Sequence, residues 1–265
     1  MGDKRLTVAD VLALKGKRQL TMLRVESMEE AEAAEKAGID MLSVRPELLT
    51  PEFREVVPTC FVFAGLEYGQ YISAEDYLRA SFAAIRAGGD AVWCAASLQT
   101  IRRLRDEGVP VCGHVGLIPA RRTWTGGFKA VGKTLETALL VWRQTKALEE
   151  AGAFSVEIEV VPADVASVVS KRTSMFMISM GAGSGCDAQY LFAIDVLGTN
   201  RGHVPRHSKV YRNLAAEYDR LQQERIAAFS ELARDIKSGA YPERQHLVDI
   251  PKGELEQFLR ALDKE

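Results

Sequence analysis

The stretch Val109-Pro-Val-Cys-Gly-His-Val-Gly-Leu-Ile-Pro119 is a short apolar run that opens on Gly113-His114 and closes on a proline. Such a run reads as a buried strand carrying one imidazole to its own end. Just upstream, Leu98 to Asp106 has helical spacing and stops before Gly108, and Asp90-Ala-Val-Trp-Cys-Ala95 is another apolar strand. Strand, helix and strand in that order make one βαβ unit, and the rhythm extends both ways along the chain. Toward the N-terminus, Arg18–Arg24, Asp40–Val44 and Cys60–Ala64 read as strands, with helices opening at Thr7, Ser27 and Ser73, each a capping residue. Downstream, the pattern predicts helices over 134–151 and 163–171 and strands over 154–161, 175–181 and 191–194. Eight strands alternating with helices point to an α/β fold of the (β/α)8 TIM-barrel type rather than an open sheet. Residues 211–237 and 252–262 read as charged helices beyond the barrel, so that 1–265 is expected to be a single barrel domain with C-terminal helices.

Composition narrows the partners. The 265 residues are 47% hydrophobic, enough for a complete core, and 34 Lys plus Arg against 36 Asp plus Glu leave a charge of −2. That balance gives no reason to expect nucleic acid or an anionic membrane, and a small-molecule substrate is the expected partner. Cys60, Cys94, Cys112 and Cys186 lie far apart without CxxC pairs, mostly in strand-like runs, which suits buried thiols in a reducing cytoplasm. The opening Met1-Gly-Asp-Lys-Arg5 leads into neither a secretory nor a transit segment, and no apolar window is long enough to span a bilayer. A cytoplasmic protein is expected.

In a TIM barrel, catalytic side chains sit at the C-terminal ends of the strands. His114 falls there, and so does Glu159 in Phe154-Ser-Val-Glu-Ile-Glu-Val-Val-Pro162. A carboxylate on an inward strand face is desolvated and becomes a stronger base, suited to removing a proton near neutral pH, while a neighbouring imidazole can polarise a carbonyl or shuttle a proton. Glu157 shares the face of Glu159 by the period of two; the competing reading turns both glutamates outward beneath a helix. The interval 119–134, rich in Gly, Arg, Thr and Lys, is a long loop of the kind that carries function. Within it Arg121-Arg122 suit either a polyanionic cofactor tail or a solvated loop. Gly181-Ala-Gly-Ser-Gly-Cys-Asp187 lacks the lysine of a P-loop. It reads instead as small residues closing over the barrel mouth, with Asp187 capping the next helix. No His/Cys spacing matches a zinc site.

Six segments in order, Val109–Leu117, Gly126-Gly-Phe-Lys-Ala-Val-Gly132, Glu159-Val-Val-Pro162, Gly181–Asp187, Gly202-His-Val-Pro-Arg206 and Tyr241-Pro-Glu-Arg-Gln-His246, resemble those of the ketopantoate hydroxymethyltransferase family. Its members share a phosphoenolpyruvate mutase-like (β/α)8 barrel and transfer a hydroxymethyl group from methylenetetrahydrofolate to a 2-oxo acid in pantothenate synthesis. The resemblance implies that Glu159 is the base forming the enolate, that His114 lies beside the substrate, that Lys129 of the Gly-Gly-Phe-Lys segment contacts substrate, and that the chain forms a homo-oligomer.

The first half departs from the family. Where the family carries Gly-Asp-Ser, this chain has Arg45-Pro46-Glu47, so a metal-binding aspartate becomes Pro46 and a substrate-binding serine becomes Glu47. The second metal-binding aspartate falls on Gly65, and a Lys-x-Glu falls on Trp93-Cys94-Ala95. A hard cation needs oxygen ligands, which proline, glycine, tryptophan and alanine side chains do not supply. The expectation is therefore a site with no metal, Mg²⁺ not used and methylenetetrahydrofolate the one cofactor implied. Trp93, Trp124 and Tyr68 would make its pocket aromatic, and Arg24 or Arg45 would hold a substrate carboxylate directly. Two alternatives stand beside this metal-free C–C bond enzyme. One is a Mg²⁺-dependent hydroxymethyltransferase with ligands relocated to Glu47 and Glu67. The other is a non-catalytic paralogue that binds a small molecule or a subunit.

Overall fold

The computed structural model describes residues 4–264; residues 1–3, where the N-terminal stretch read above begins, and residue 265 lie outside it. Eight parallel strands close a barrel in sequence order. They are β1 (Leu20–Arg24), β2 (Met41–Val44), β3 (Phe61–Leu66), β4 (Ala91–Cys94), β5 (Val111–Gly116), β6 (Ser155–Glu159), β7 (Phe176–Met180) and β8 (Ala188–Phe192). Between them run α2 (Met28–Lys36), α3 (Phe53–Val56), α4 (Ala74–Arg86), α5 (Leu98–Asp106), α6 (Arg122–Thr125), α7 (Leu135–Ala151) and α8 (Ala163–Ser170), after an initial α1 (Val8–Ala13). The serine caps expected at Ser27 and Ser73 accept from the N–H three residues on, as does Thr134 before α7. No helix among the described residues is long and apolar enough to cross a membrane.

The period of two divides every strand between two cores. Outward residues such as Val62, Val92, Val115, Val156 and Ile158 pack under the helices. Inward residues Leu20, Met22, Met41, Phe61, Phe63, Cys112, Phe176 and Ile178 fill the barrel, and α1 plugs its lower end with the fully buried Val11. Phe61 and Phe63 meet edge-on at 5.0 Å in this interior. Glycine lets α7 come close: a methyl group on Gly113 would lie 2.8 Å from the Leu148 side chain.

Two features differ from the sequence reading. The last strand is Ala188–Phe192, not 191–194, and Ala193–Val196 (α9) follows it as helix. Consequently Gly181–Asp187 has no helix to cap and does not close the mouth; it is the short return from β7 to β8. Its glycines are needed because a methyl group on Gly183 would lie 2.5 Å from Ala163 Cβ, and one on Gly185 2.5 Å from Ser167 Cβ, both on α8. Asp187, buried, accepts from the Gly16 and Met177 N–H groups and from Lys15 Nζ, tying α1's exit to the start of β8.

The chain divides into two compact units, changing over at Asn213, where the sequence reading placed everything in one domain. The second unit contains α10 (Leu214–Ser238), capped by Asn213 and ended by the left-handed Gly239, and α11 (Lys252–Leu262). The 119–134 loop contains α6 and a single 3₁₀ turn at Pro119–Arg121.

Candidate active site

Above the apolar fill, the inward positions turn polar. Strands β5 and β6 pair with His114 beside Glu157 and Gly116 beside Glu159, so both glutamates point inward and the outward reading is excluded. His114 Nε2 lies 3.1 Å from Glu159 Oε2 and 3.9 Å from Glu157 Oε1, with side-chain exposures of 1%, 10% and 4%. The 3.1 Å approach lacks hydrogen-bond alignment, so both ring nitrogens are without a hydrogen-bond partner. Trp93 on β4 packs against the imidazole, ring centroids 5.3 Å apart. Val160, immediately after Glu159, holds φ at +49°, a strained value for a β-branched residue and one that turns the chain sharply out of β6. Its carbonyl accepts from Val131 N–H, fastening the 119–134 loop to the end of the strand that carries the glutamates.

Burial sets the protonation. It pushes the Glu159 carboxyl up to about 8. It also pushes Glu157 up to about 7, against the pull of His114 and with the push of Glu159. The same burial lowers His114, outweighing Glu157's opposite influence, so the imidazole is neutral near pH 7. These are properties of a coupled group: near neutrality the two carboxyls hold about one proton between them.

The trio lines a cavity of 270 Å³ with Arg24, Ser43, Arg45, Glu26, Glu67, Tyr190 and others. Arg24, buried at the end of β1, donates through Nε to Glu26 Oε1 at 2.8 Å, and its Nη1 stands 3.4 Å from Ser43 Oγ. Arg45 Nε is 3.2 Å from Glu26 Oε2 and 3.5 Å from Glu67 Oε1. The two guanidinium groups are thus neutralised by two rim glutamates, while the terminal edge of Arg24 remains available to a planar anion.

The positions where the resemblance puts the family's metal-binding aspartates supply no ligand here. Pro46 and Gly65 offer no side-chain oxygen, and the guanidinium of Arg24 already takes the space over Gly65: a methyl group there would sit 2.9 Å from Nη1. Glu47 and Glu67 line an adjoining 190 Å³ hollow with Pro46, Gly65 and Arg45. Glu67 is drawn to the arginines, 3.9 Å from Arg24 Nη2 as well as 3.5 Å from Arg45. Among the described residues, His114, Glu157 and Glu159 are the one group of three acid or imidazole side chains with ligand atoms within 4.8 Å of one another, close enough to hold a metal ion.

Of the residues singled out by sequence, the structure brings together Glu159, His114, Arg24, Arg45 and Trp93. It does not bring in Trp124, which is 90% exposed on α6, nor Lys129, exposed in the same loop. Neither lines the cavity, because the loop folds outward and packs on itself: Arg122 lies over the Phe128 ring. Tyr68 is also outside, under Arg121. Glu47 lines the adjoining hollow instead. Sequence reasoning missed Ser43, Glu26 and Tyr190. Ser43 and Arg45 share a face by the period of two, a signal present in the sequence, whereas Tyr190 was hidden by misplacing β8.

The comparisons agree with this architecture. The family model for ketopantoate hydroxymethyltransferase matches residues 48–244. The 3-methyl-2-oxobutanoate hydroxymethyltransferase of Nitratidesulfovibrio vulgaris (strain DP4) is 33% identical, over 99% of this chain and 92% of its own. That of Pyrococcus abyssi (strain GE5 / Orsay) is 32% identical, over 98% and 100%. Among solved structures, phosphonopyruvate hydrolase (TM-score 0.52, 15% identity, 98% and 99% covered) and 2,3-dimethylmalate lyase of the PEP mutase/isocitrate lyase superfamily (TM-score 0.52, 14%, 98% and 96%) share the fold. On the family match and on relatives a third identical along nearly its whole length, the chain belongs to the ketopantoate hydroxymethyltransferase family.

Proposed function

We propose that the protein makes or breaks a carbon–carbon bond next to the carbonyl of a small 2-oxo acid without a metal ion. Glu159 removes the proton from the carbon beside the carbonyl, His114 steadies the enolate oxygen, and Arg24, helped by Arg45, holds the carboxylate. The observation that carries this reading is the Arg24 guanidinium lying over Gly65, where the resemblance would put a metal-binding aspartate. A guanidinium pairs with a carboxylate through two parallel hydrogen bonds from fixed donors. Stabilisation of the enolate then comes from preorganised donors in a dry site.

The cavity of 270 Å³ is below the roughly 300–1,000 Å³ of pockets that enclose drug-sized ligands. It suits a small 2-oxo acid and the reacting carbon.

Thermal melting with 3-methyl-2-oxobutanoate in EDTA tests the carboxylate site. A ligand of the native state raises melting temperature by mass action, so the wild type is expected to shift while Arg24→Ala and Gly65→Asp lose the shift, each compared with its own ligand-free melt. Undiminished shifts in both variants would remove Arg24 from the site, and a shift that appears only with Mg²⁺ would restore the metal.

A further inference from the structure

Glu157 has no part in the chemistry above, yet it is the most enclosed carboxyl in the barrel. It faces the cavity, and among the described residues its one ion-pair contact is His114 Nε2 at 3.9 Å. The other titratable groups around it are Glu159 on its own strand, Cys112 on β5 and Tyr190 on β8. No guanidinium is paired with it: the ion-pair contacts of Arg24 and Arg45 are with Glu26 and Glu67. A buried carboxyl without a cation shares a proton with its neighbour; that proton rests mainly on Glu159, and the reacting form is the minor one in which it sits on Glu157 and Glu159 is ionised. His114 Nε2 stands between this carboxyl and Glu159, and neither ring nitrogen is tied elsewhere by a hydrogen bond.

We propose that Glu157 is a second catalytic carboxyl, the acid that protonates the carbonyl oxygen of a small aldehyde acceptor, and that His114 afterwards returns a proton from Glu159 to Glu157. The proposal rests on the reading of Glu159 as base. Glu159 takes the proton from the donor carbon, and the C–H electron pair becomes the enolate. The enolate carbon then bonds to the aldehyde carbon, the C=O π pair moves onto oxygen, and that oxygen takes the Glu157 proton. Glu159 is left protonated and Glu157 ionised. Transfer through Nε2, 3.1 Å from one and 3.9 Å from the other, restores the starting state with no oxidant and no carrier. The same steps in reverse cleave a β-hydroxy ketone. The acceptor class is therefore a free aldehyde small enough to share 270 Å³ with the 2-oxo acid.

The experiment uses the intact protein in EDTA with 3-methyl-2-oxobutanoate. Proton NMR in D₂O follows exchange at the carbon beside the carbonyl, and product formation is followed with formaldehyde, acetaldehyde and glycolaldehyde. Wild type is expected to do both. Glu157→Gln should keep exchange within a few-fold but lose condensation by about 10²–10⁴-fold, the usual range for an acid–base group, together with the alkaline limb of the pH profile. Glu157→Asp should recover part of the rate, and the melting temperatures report whether the variants fold. Exchange with no condensation on any of the three aldehydes, or equal condensation by Glu157→Gln, overturns the role of Glu157 and leaves the base reading standing. Absence of exchange in the wild type overturns both. One divalent metal per chain in the wild type, lost in Glu157→Gln, would also overturn the proposal, since these carboxyls would then be ligands.

Discussion

Glu157 and Glu159 make the site costly to fold. Both are raised from 4.5, to about 7 and about 8, because burial penalises the charged form. Between those limits the folded state binds more protons than the unfolded one. Each carboxyl therefore contributes stability that is full below about 4.5 and is lost as pH rises through the folded value, by up to ~1.4 kcal/mol per pH unit. His114 acts oppositely: its lowered pKa costs stability below its ordinary 6.5. The net fall is consequently clearest from pH 6.5 to 8. Thermal melts across that window should show wild type losing stability while Glu159→Gln, left with only the Glu157 contribution, loses less and becomes the more stable protein at pH 8. A wild type that gains stability over the same range would show that the carboxyls are ionised and paired.

At the scale of the element, the strands were the readable part. Period-two alternation in β5 and β6 placed His114 and Glu159 on the inner face, and the glycine before His114 has a packing reason, since Leu148 of α7 occupies the space a side chain would need. Gly113→Ala is accordingly expected to destabilise by roughly 1–3 kcal/mol through overpacking, with most of the loss recovered in Gly113→Ala/Leu148→Ala. Failure of the second substitution to rescue would place the constraint elsewhere. Less legible was the end of the barrel. Leu191-Phe-Ala-Ile194 is apolar enough for strand or helix, and only the tertiary anchor at Asp187 sets the strand three residues earlier. The 119–134 loop kept its length but not its aromatic lining. Trp124 is exposed on a four-residue helix, a placement that composition does not encode. Arg24 over Gly65 shows the opposite case, a substitution pair visible in the sequence whose geometry only the folded barrel joins.

For the molecule as a whole, the closed barrel brings the ends of β1, β2, β4, β5, β6, β7 and β8 around one cavity, so that Arg24 and Glu159, far apart in the chain, line the same space. The homo-oligomer expected from the family resemblance remains our proposal. It is supported by the apolar side chains Leu135, Leu139 and Val168 exposed on α7 and α8, since unpartnered apolar patches mark association sites. Light scattering after gel filtration is expected to give a multiple of the 29.2 kDa chain, and Leu139→Glu/Val168→Glu to reduce it; a monomeric wild type would contradict it. The central claim, base chemistry with an arginine where a metal is expected, is tested most directly by hydrogen exchange of 3-methyl-2-oxobutanoate in D₂O with EDTA against the same measurement with Mg²⁺. The account predicts exchange in EDTA, unchanged by Mg²⁺ and abolished in Glu159→Gln. Exchange that requires Mg²⁺, or that survives in Glu159→Gln, would contradict it.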